Sequence, residues 1–367
     1  MKILISGAGV AGLSAAVNLG THGHHVTVIE RSSHLRVNGS PIDVRGDAIG
    51  IADKMGLLGK IRDQRLRMTE RGVFVDANGS VLAPLPLGET SDSDDDIEIA
   101  REDLANLLAE ALPATTAVRF RDSVVELADD GKGVDVRFVS GLTDRFDLVI
   151  GADGLHSTVR RLTFGPESRF AKHLGCYAAI ADLRSAAGDD AQPNPTYNFP
   201  GHMASVMRYS DRALAVFLFR SDPIDYDHRD LDAQKKILTD AFAGHDEWRI
   251  PELLAAANAD PELYFDSASQ IHMPTWHRGR VVLVGDAAHA ASGLSGRGTS
   301  LALLGTYFLA EELDEGDLAA GFDRYEVRQR PYVRTGQASV GAGADLVVPA
   351  TWEAIEARNE RIRAITG

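Results

Sequence analysis

Apolar positions along the chain follow two periods, and the switches between them mark its elements. Ile3, Leu4 and Ile5 form a short continuous apolar run, as a strand buried on both faces would. Leu13, Ala16, Val17 and Leu19 then recur at helical spacing, and Gly23 closes that helix. Val26, Val28 and Ile29 alternate into a second strand that ends at Glu30. A loop broken by Gly39, Gly46 and Gly50 follows, then a helix with Ile51, Met55 and Leu58 on one face. Residues 72–76 and 80–83 read as a hairpin around Asn78-Gly79. Residues 97–112 read as a strand end followed by a helix. Two strands over 118–139 are joined by Asp129-Asp130-Gly131. Residues 146–152 form another apolar strand, which runs into Asp153-Gly154 and a helix beginning near Ser157.

From about residue 172 to 275 the pattern changes to alternating strands with one amphipathic helix at roughly 232–243, which predicts an antiparallel sheet. Residues 280–284 return to a buried strand. Gly285-Asp286-Ala287-Ala288-His289, a glycine-rich loop and an apolar helix over 299–313 follow. A last amphipathic helix around Trp352, Ile355, Ile362 and Ile365 is expected to cover a domain face. The N-terminal unit is therefore interrupted and resumed. The expected fold is α/β. A discontinuous Rossmann-like domain spans 1–70, 97–171 and 276–340, with an inserted antiparallel-sheet domain at 71–96 and 172–275. A C-terminal helix lies in 341–367.

The first strand, helix and second strand enclose Gly7, Gly9 and Gly12 in the spacing G-x-G-x-x-G. Gly7 allows a tight turn, Gly9 lets the backbone approach a pyrophosphate, and Gly12 lets helix and strand pack closely. The helix N-terminus offers free N–H groups to phosphates. Glu30 stands where a carboxylate can accept hydrogen bonds from a ribose. The complete unit predicts dinucleotide binding and leaves NAD and FAD both open.

Composition narrows the class. The 367 residues are 44% hydrophobic and 25% charged, an ordinary globular balance. The formal net charge of −15 argues against nucleic acid or an anionic membrane as partner. No run of about 18 apolar residues suggests a membrane span. The first strand begins almost at residue 1, so no signal peptide is expected, and a cytoplasmic protein is. Cys176 is the single cysteine, which rules out an intramolecular disulfide and suits a reducing compartment. It reads as a small buried hydrophobe. His22, His24 and His25 sit at a helix-to-strand turn and read as turn and cap residues, not as a metal cluster.

Three segments taken together resemble one family. They are the glycine fingerprint with Glu30-Arg31, DLVIGADGLHSTVR at 147–160, and VVLVGDAAHAASGLSGRGTSLAL at 281–303. This ordered set is similar to the class A flavoprotein monooxygenases, the para-hydroxybenzoate hydroxylase-like family. The loop GSPIDVRGDA, the segment IAREDLANLL and the overall length look particularly like the compact tetracycline-inactivating monooxygenases.

That resemblance implies FAD as cofactor and NADPH (or NADH) as a transient reductant, since no second G-x-G-x-x-G is present. It implies that Glu30 binds the adenosine ribose, with Arg31 beside the adenine and Val124 offering backbone groups to it. Arg101 would reach the FAD phosphates or ribityl chain, and Asp286 the ribityl or pyrophosphate region. Gly296, Gly298 and Thr299 would present backbone N–H groups to the flavin pyrimidine edge. Asp43 and Arg45 would sit near the flavin, and Arg36 would meet the nicotinamide cofactor. Asp153 and Arg160 belong to a motif linked to both dinucleotides. His289 is read as loop support instead of a base. The family commonly has proline after Gly-Asp-Ala-Ala-His, where this chain has Ser292 and Gly293, and an asparagine where it has Ser300. That departure predicts a more open or mobile flavin wall.

The implied reaction is hydroxylation of an aromatic or polycyclic small molecule with O₂, through a flavin C4a-hydroperoxide, with Baeyer–Villiger oxidation of a ketone also open. No catalytic side chain is assigned, because the chemistry resides on the flavin. Tyr197, Phe199, Met203, Arg208, Phe217 and Phe219 are candidate substrate-wall residues on the sheet. The expected partners are a small-molecule substrate and O₂, with no metal, and a monomer is expected. The alternatives are an FAD-dependent dehydrogenase or reductase without oxygenation and a flavin-binding protein that sequesters a ligand.

Overall fold

The computed structural model describes residues 1–35, 39–86, 93–183, 192–210, 212–313 and 316–366. Six strands form one sheet in the order His277–Arg278, Val281–Leu283, Leu148–Gly151, Lys2–Ser6, His25–Glu30, Thr116–Phe120. All pairings in it are parallel except that of the two-residue edge strand. Ile3, Leu4 and Ile5 are fully buried, as are Leu148, Val149 and Ile150 beside them. This is why those segments read as unbroken apolar runs: neither face of the sheet meets water. From Lys2–Ser6 the chain builds outward in one direction to Thr116–Phe120 and later in the other to Val281–Leu283. The strand order reverses between Lys2–Ser6 and Leu148–Gly151, where a doubly wound sheet opens its ligand crevice. Helices Val10–Thr21 and Gly298–Glu312 cover one another over this region, tied by a buried Ser14–Thr306 hydroxyl bond of 2.8 Å.

The second sheet has seven strands, in the order Tyr264–Ile271, Ala171–Asp182, Arg212–Arg220, His202–Tyr209, Asn194–Phe199, Gly72–Val75, Val81–Pro84. The sheet is antiparallel, as expected, at every pairing but one. Asn194–Phe199 runs parallel to Gly72–Val75. The hairpin Gly72–Pro84 arrives over a hundred residues earlier, so a long crossover makes the parallel pairing possible.

The two faces of this sheet have different cover. Along Arg212–Arg220, Ala213, Ala215, Phe217 and Phe219 pack against helices Leu231–Ala241 and Ile250–Ala259 through Leu238, Phe242 and Leu253. Leu214, Val216 and Leu218 face the other way, with Cys176 and Met203, toward Leu294 and Val348. Helix Ile250–Ala259 was not anticipated from the sequence. Pro251 reads as a breaker but lies in the helix's first turn, where its missing N–H costs nothing. The last helix, Trp352–Thr366, does cover a face: its Ile362 packs on Phe74 and Ala83 of the hairpin. No helix of the described residues is long and apolar enough to cross a membrane.

Candidate functional site

The glycine turn lies at the point where the strand order reverses. Gly7 has φ +106°, and a Cβ on it would stand 2.5 Å from the Ala152 carbonyl oxygen. Gly12 is sealed more tightly, since a Cβ there would meet the Gly7 carbonyl oxygen at 1.9 Å. Gly9 differs from both. Its backbone is extended (φ −77°), and no protein atom lies within 4 Å of where a Cβ would stand. Nothing inside the protein requires glycine at position 9. The space in front of it suits a ligand backbone. Gly9 opens helix Val10–Thr21, which has neither a capping side chain nor an acid in its first turn, so its first N–H groups remain to be satisfied.

Glu30 is held in place by this turn. Its carboxylate accepts the Ala8 N–H at 3.0 Å and the Ser32 N–H at 2.9 Å, which leaves lone pairs for a diol. Arg31 lines a cavity of about 500 Å³ together with Asp153, Gly154, His156, His228 and Asp266. Val124 is buried at the start of the strand Val124–Asp129, so only backbone groups can serve a ligand there.

Asp286 stands between two helix starts. Gly285, at φ +57°, packs on Ala11 in the first turn of Val10–Thr21, where a Cβ would come within 2.7 Å of the Ala11 Cβ. On the other side, Asp286 Oδ1 is 4.0 Å from the Cβ position of Gly298. Gly298 begins helix Gly298–Glu312, whose N-terminus also lacks a capping side chain and an acid in the first turn. Asp286 is solvent-exposed, yet desolvation pushes its carboxyl up while Arg101 pulls it back down. Its side chain is thus accessible and yet closely surrounded by protein. No described residue donates a hydrogen bond to it. A free carboxylate between two uncapped helix N-termini fits the hydroxyls of a ribityl chain, with phosphates and a pyrimidine edge to either side.

Arg101 begins helix Arg101–Glu110 and packs beside Gly39, where a Cβ would meet its Nε at 3.0 Å. Arg45 lies against Gly296, which adopts the left-handed conformation at φ +62°. Ser300 accepts the Arg45 N–H at 2.9 Å and donates to the Asp43 carbonyl at 3.2 Å. The structure thus brings together Gly7–Gly12, Asp43, Arg45, Asp286, Gly296, Gly298 and Thr299 from sequence-distant segments. Arg36 lies outside the described residues.

Asp153 and Arg160 have internal work. The Asp153 carboxylate accepts the Ser157 hydroxyl and the N–H groups of Thr158 (2.8 Å) and Val159 (3.1 Å), capping helix Thr158–Phe164. Arg160 is buried and donates to the Ala287 and Leu155 carbonyls and to Glu167. Through Ala287 it braces the short helix that carries Asp286. Sequence reasoning missed His156, which bonds both Glu167 (2.9 Å) and Asp266 (3.2 Å) and stacks on His228 at 4.1 Å. Burial opposes its charge, but these two carboxylates outweigh burial and push it up to about 9. Its place two residues after the Asp153-Gly154 pair was the available signal.

His289 is a buried packing residue. It lies on Trp276 with ring centroids 4.7 Å apart, and desolvation pulls it down to about 3. Ser292 has φ +80°, which proline cannot adopt, so the family's loop proline is excluded at this position by backbone shape. Cys176 is buried and burial raises its thiol, as expected of a packing residue. His22 bonds back to the Asn18 carbonyl at the helix end, the anticipated cap role. Among the described residues no group of three or more His, Cys, Asp or Glu side chains is arranged to hold a metal ion.

The substrate-wall candidates divide between the two faces of the second sheet. Tyr197, Phe199, Phe217 and Phe219 belong to the helix-covered core on the far face of the second sheet. Arg208 pairs in register with Ala213 of that same core and shares its face. Of the six candidates only Met203 packs on the face toward Leu294. Strand side chains alternate, so a run apolar at every position does not say which half turns toward the site.

Two uncapped helix N-termini, a ribose-type acid and an accessible carboxylate, brought together where the strand order reverses, define a protein that holds an extended dinucleotide. A model of the FAD-binding-domain family matches residues 1–195. An uncharacterized protein of Mycobacterium tuberculosis is 42% identical over 344 residues, covering 91% of each chain. A flavin-dependent monooxygenase of Legionella longbeachae is 35% identical over 345 residues, covering 92% of this chain and 87% of that one. Among solved structures, a tetracycline destructase superposes with a TM-score of 0.86 at 33% identity, covering 99% of this chain and 96% of that one. Klebsiella pneumoniae HpxO, crystallised with FAD and uric acid, gives a TM-score of 0.74 at 25% identity, covering 99% and 93%. The chain belongs to the FAD-binding-domain family and is an FAD-dependent monooxygenase of the class A type. The resemblance read from the three motif segments therefore holds.

Proposed function

We propose that the chain uses NADPH or NADH as a transient reductant and O₂ to hydroxylate an aromatic or polycyclic small molecule. The observation that carries the reading is the exposed, unbonded carboxylate of Asp286 between two uncapped helix N-termini. It suits an FAD laid from Glu30 to the Gly296–Thr299 turn. FAD, when bound, supplies the electron transfer and oxygen activation. The chain's own residues bind and orient it. Glu30 takes the adenosine ribose and the N–H groups after Gly9 take the pyrophosphate. Asp286 takes the ribityl hydroxyls, and the N–H groups of Gly298 and Thr299 meet the pyrimidine edge. These last donors face the side on which reduction places negative charge. The substrate lies against the face carrying Met203, Val216 and the half-buried Met207 and Ile180, an apolar wall that excludes water.

The test is NADPH and NADH oxidation by the FAD-loaded protein, with and without polycyclic phenols, followed by mass spectrometry under ¹⁸O₂. Stimulated oxidation with one ¹⁸O atom in the product supports the reading. Oxidation of the substrate without ¹⁸O would make the protein a dehydrogenase. Ligand binding with no turnover would make it a sequestering protein.

A further inference from the structure

Asp43, on the short strand Ile42–Val44, and Arg45, just after it, form a charge pair whose task the family resemblance leaves unstated. Arg45 Nη2 donates to Asp43 Oδ2 at 2.7 Å. The Arg45 side chain is 14% exposed, and its Nε is buried without a hydrogen-bond partner. The guanidinium rests on Gly296: a Cβ there would meet Nη1 at 3.3 Å and Nη2 at 3.5 Å. Ser300 stitches the strand to the same turn through the Arg45 N–H and the Asp43 carbonyl. The pair is thus fixed on the Gly296–Thr299 turn.

The charges facing Asp43 are few. Arg45 is one, Glu98 stands opposite on the paired strand Ile97–Ile99, and Asp96 lies 3.8 Å from the Arg45 Nε. Helix Gly298–Glu312, packed on the other side, contributes the uncharged Ser300. Asp43 and Asp96 lie on the one guanidinium, while the Glu98 carboxylate accepts the N–H groups of Met68 and Thr69 and the Thr69 hydroxyl. Desolvation is the largest influence on Asp43 and raises it. Arg45 opposes, Glu98 and Asp96 add to the rise, and the carboxyl is pushed up to about 6. A small change in local field then decides whether it holds a proton near neutral pH.

We propose that the Asp43–Arg45 pair takes up one solvent proton when the flavin on this turn is reduced, as Arg45 turns from Asp43 toward the new negative charge. Two electrons and one proton enter the ring, which becomes singly negative. The Asp43 carboxylate gains one proton and becomes neutral, so the site's net charge is unchanged. Both consequences of reduction push the same way: a like charge arrives near Asp43, and its guanidinium partner leaves. The inference rests on the proposed placement of the flavin at Gly296–Thr299.

The experiment is the pH dependence of the flavin midpoint potential of the FAD-loaded protein from pH 5 to 9. The slope is read as protons taken up per two electrons. Near pH 5 Asp43 is already protonated and the expected count is one. It rises toward two around pH 7 and returns toward one at the alkaline end. Asp43→Asn should lose the neutral maximum, and Asp43→Glu should keep it. If the wild-type count is highest at the acid end and only falls, the ring itself takes the second proton and the proposal fails. It also fails if Asp43→Asn keeps the maximum. Where Asp43→Asn does not retain FAD, the wild-type profile and Asp43→Glu decide. Gly298→Val tests the placement separately. An unchanged flavin spectrum and affinity in that variant would remove the turn from the flavin site. A changed spectrum with no effect of Asp43→Asn would overturn proton uptake alone.

Discussion

Replacing Gly9 by serine separates what the fold needs from what the cofactor needs. The backbone at position 9 is extended and open to a side chain, so the folded protein accepts serine without a clash. Glycine-to-residue replacement at a compatible site gains about 0.4–1 kcal/mol by restricting the unfolded chain. Serine as N-cap adds a few tenths more. The apoprotein should therefore gain roughly 1 kcal/mol. On the proposed placement of FAD, the same Cβ occupies the path of the pyrophosphate. Losing one charge-assisted hydrogen bond from the helix N-terminus costs about 1.5–3 kcal/mol, which is on the order of tenfold to a hundredfold in affinity. At FAD a hundredfold above the wild-type Kd, the wild type is stabilised by about 2.7 kcal/mol, and a variant binding a hundredfold more weakly by only about 0.4. Thermal melts with and without FAD, together with fluorescence titration, read both quantities. Apo stability should rise and the FAD-dependent increment should nearly vanish. FAD affinity within about threefold of wild type would show that no phosphate approaches this backbone. An apoprotein less stable than wild type would show an internal need for glycine that the geometry does not reveal. Gly12→Ser is the contrast: it meets the Gly7 carbonyl at 1.9 Å and should prevent folding with or without FAD.

Other consequences follow from packing, strain and charge. Phe217→Ala should cost about 3–5 kcal/mol in urea unfolding because it empties a fully buried site, yet leave the substrate KM of the folded fraction unchanged. Met207→Ala, on the opposite face, should cost less stability and shift KM; the reverse result would restore the aromatic face as the substrate wall. Ser292→Gly relieves a backbone at φ +80°, worth about 1–3 kcal/mol against about 0.4–1 of added unfolded-chain freedom, so chemical unfolding should show a net gain of about 1 kcal/mol. His156 titrates in the folded protein at about 9, above its ordinary 6.5, so its ion pairs add stability that is complete below pH 6.5 and lost as pH rises through 9. The stability difference between wild type and His156→Gln should therefore shrink between pH 6.5 and 9, and a difference independent of pH would exclude a charged His156.

The parts of this protein readable from sequence are those in which a residue type answers a local demand. Gly7 must adopt a positive φ and Gly12 must allow contact with the turn, and both demands arise within a dozen residues. The unbroken apolar runs at Ile3–Ile5 and 148–150 announce strands buried on both faces, because burial on both sides leaves no polar alternation. The ordered motifs were enough to place Asp286 and the Gly296–Thr299 turn with the first glycines, because the doubly wound topology returns each strand end to one crevice. Other features depend on contacts that no local pattern encodes. Asp153, which lines the cavity beside Arg31, also caps its own helix, a role set by how the chain turns after Gly154. His156 acquires its charge from Glu167 and Asp266, one of them 110 residues away. Most plainly, Arg212–Arg220 is apolar on both faces, so its alternation carries no direction. Helices Leu231–Ala241 and Ile250–Ala259 claim Phe217 and Phe219 for the core and leave Val216 toward Leu294. The sequence alone determined that this chain binds a dinucleotide and where its strands lie. Which residues of the second sheet enter its helix-covered core was decided by which face the helices cover, because a strand's period of two makes both faces equally available until something packs on one.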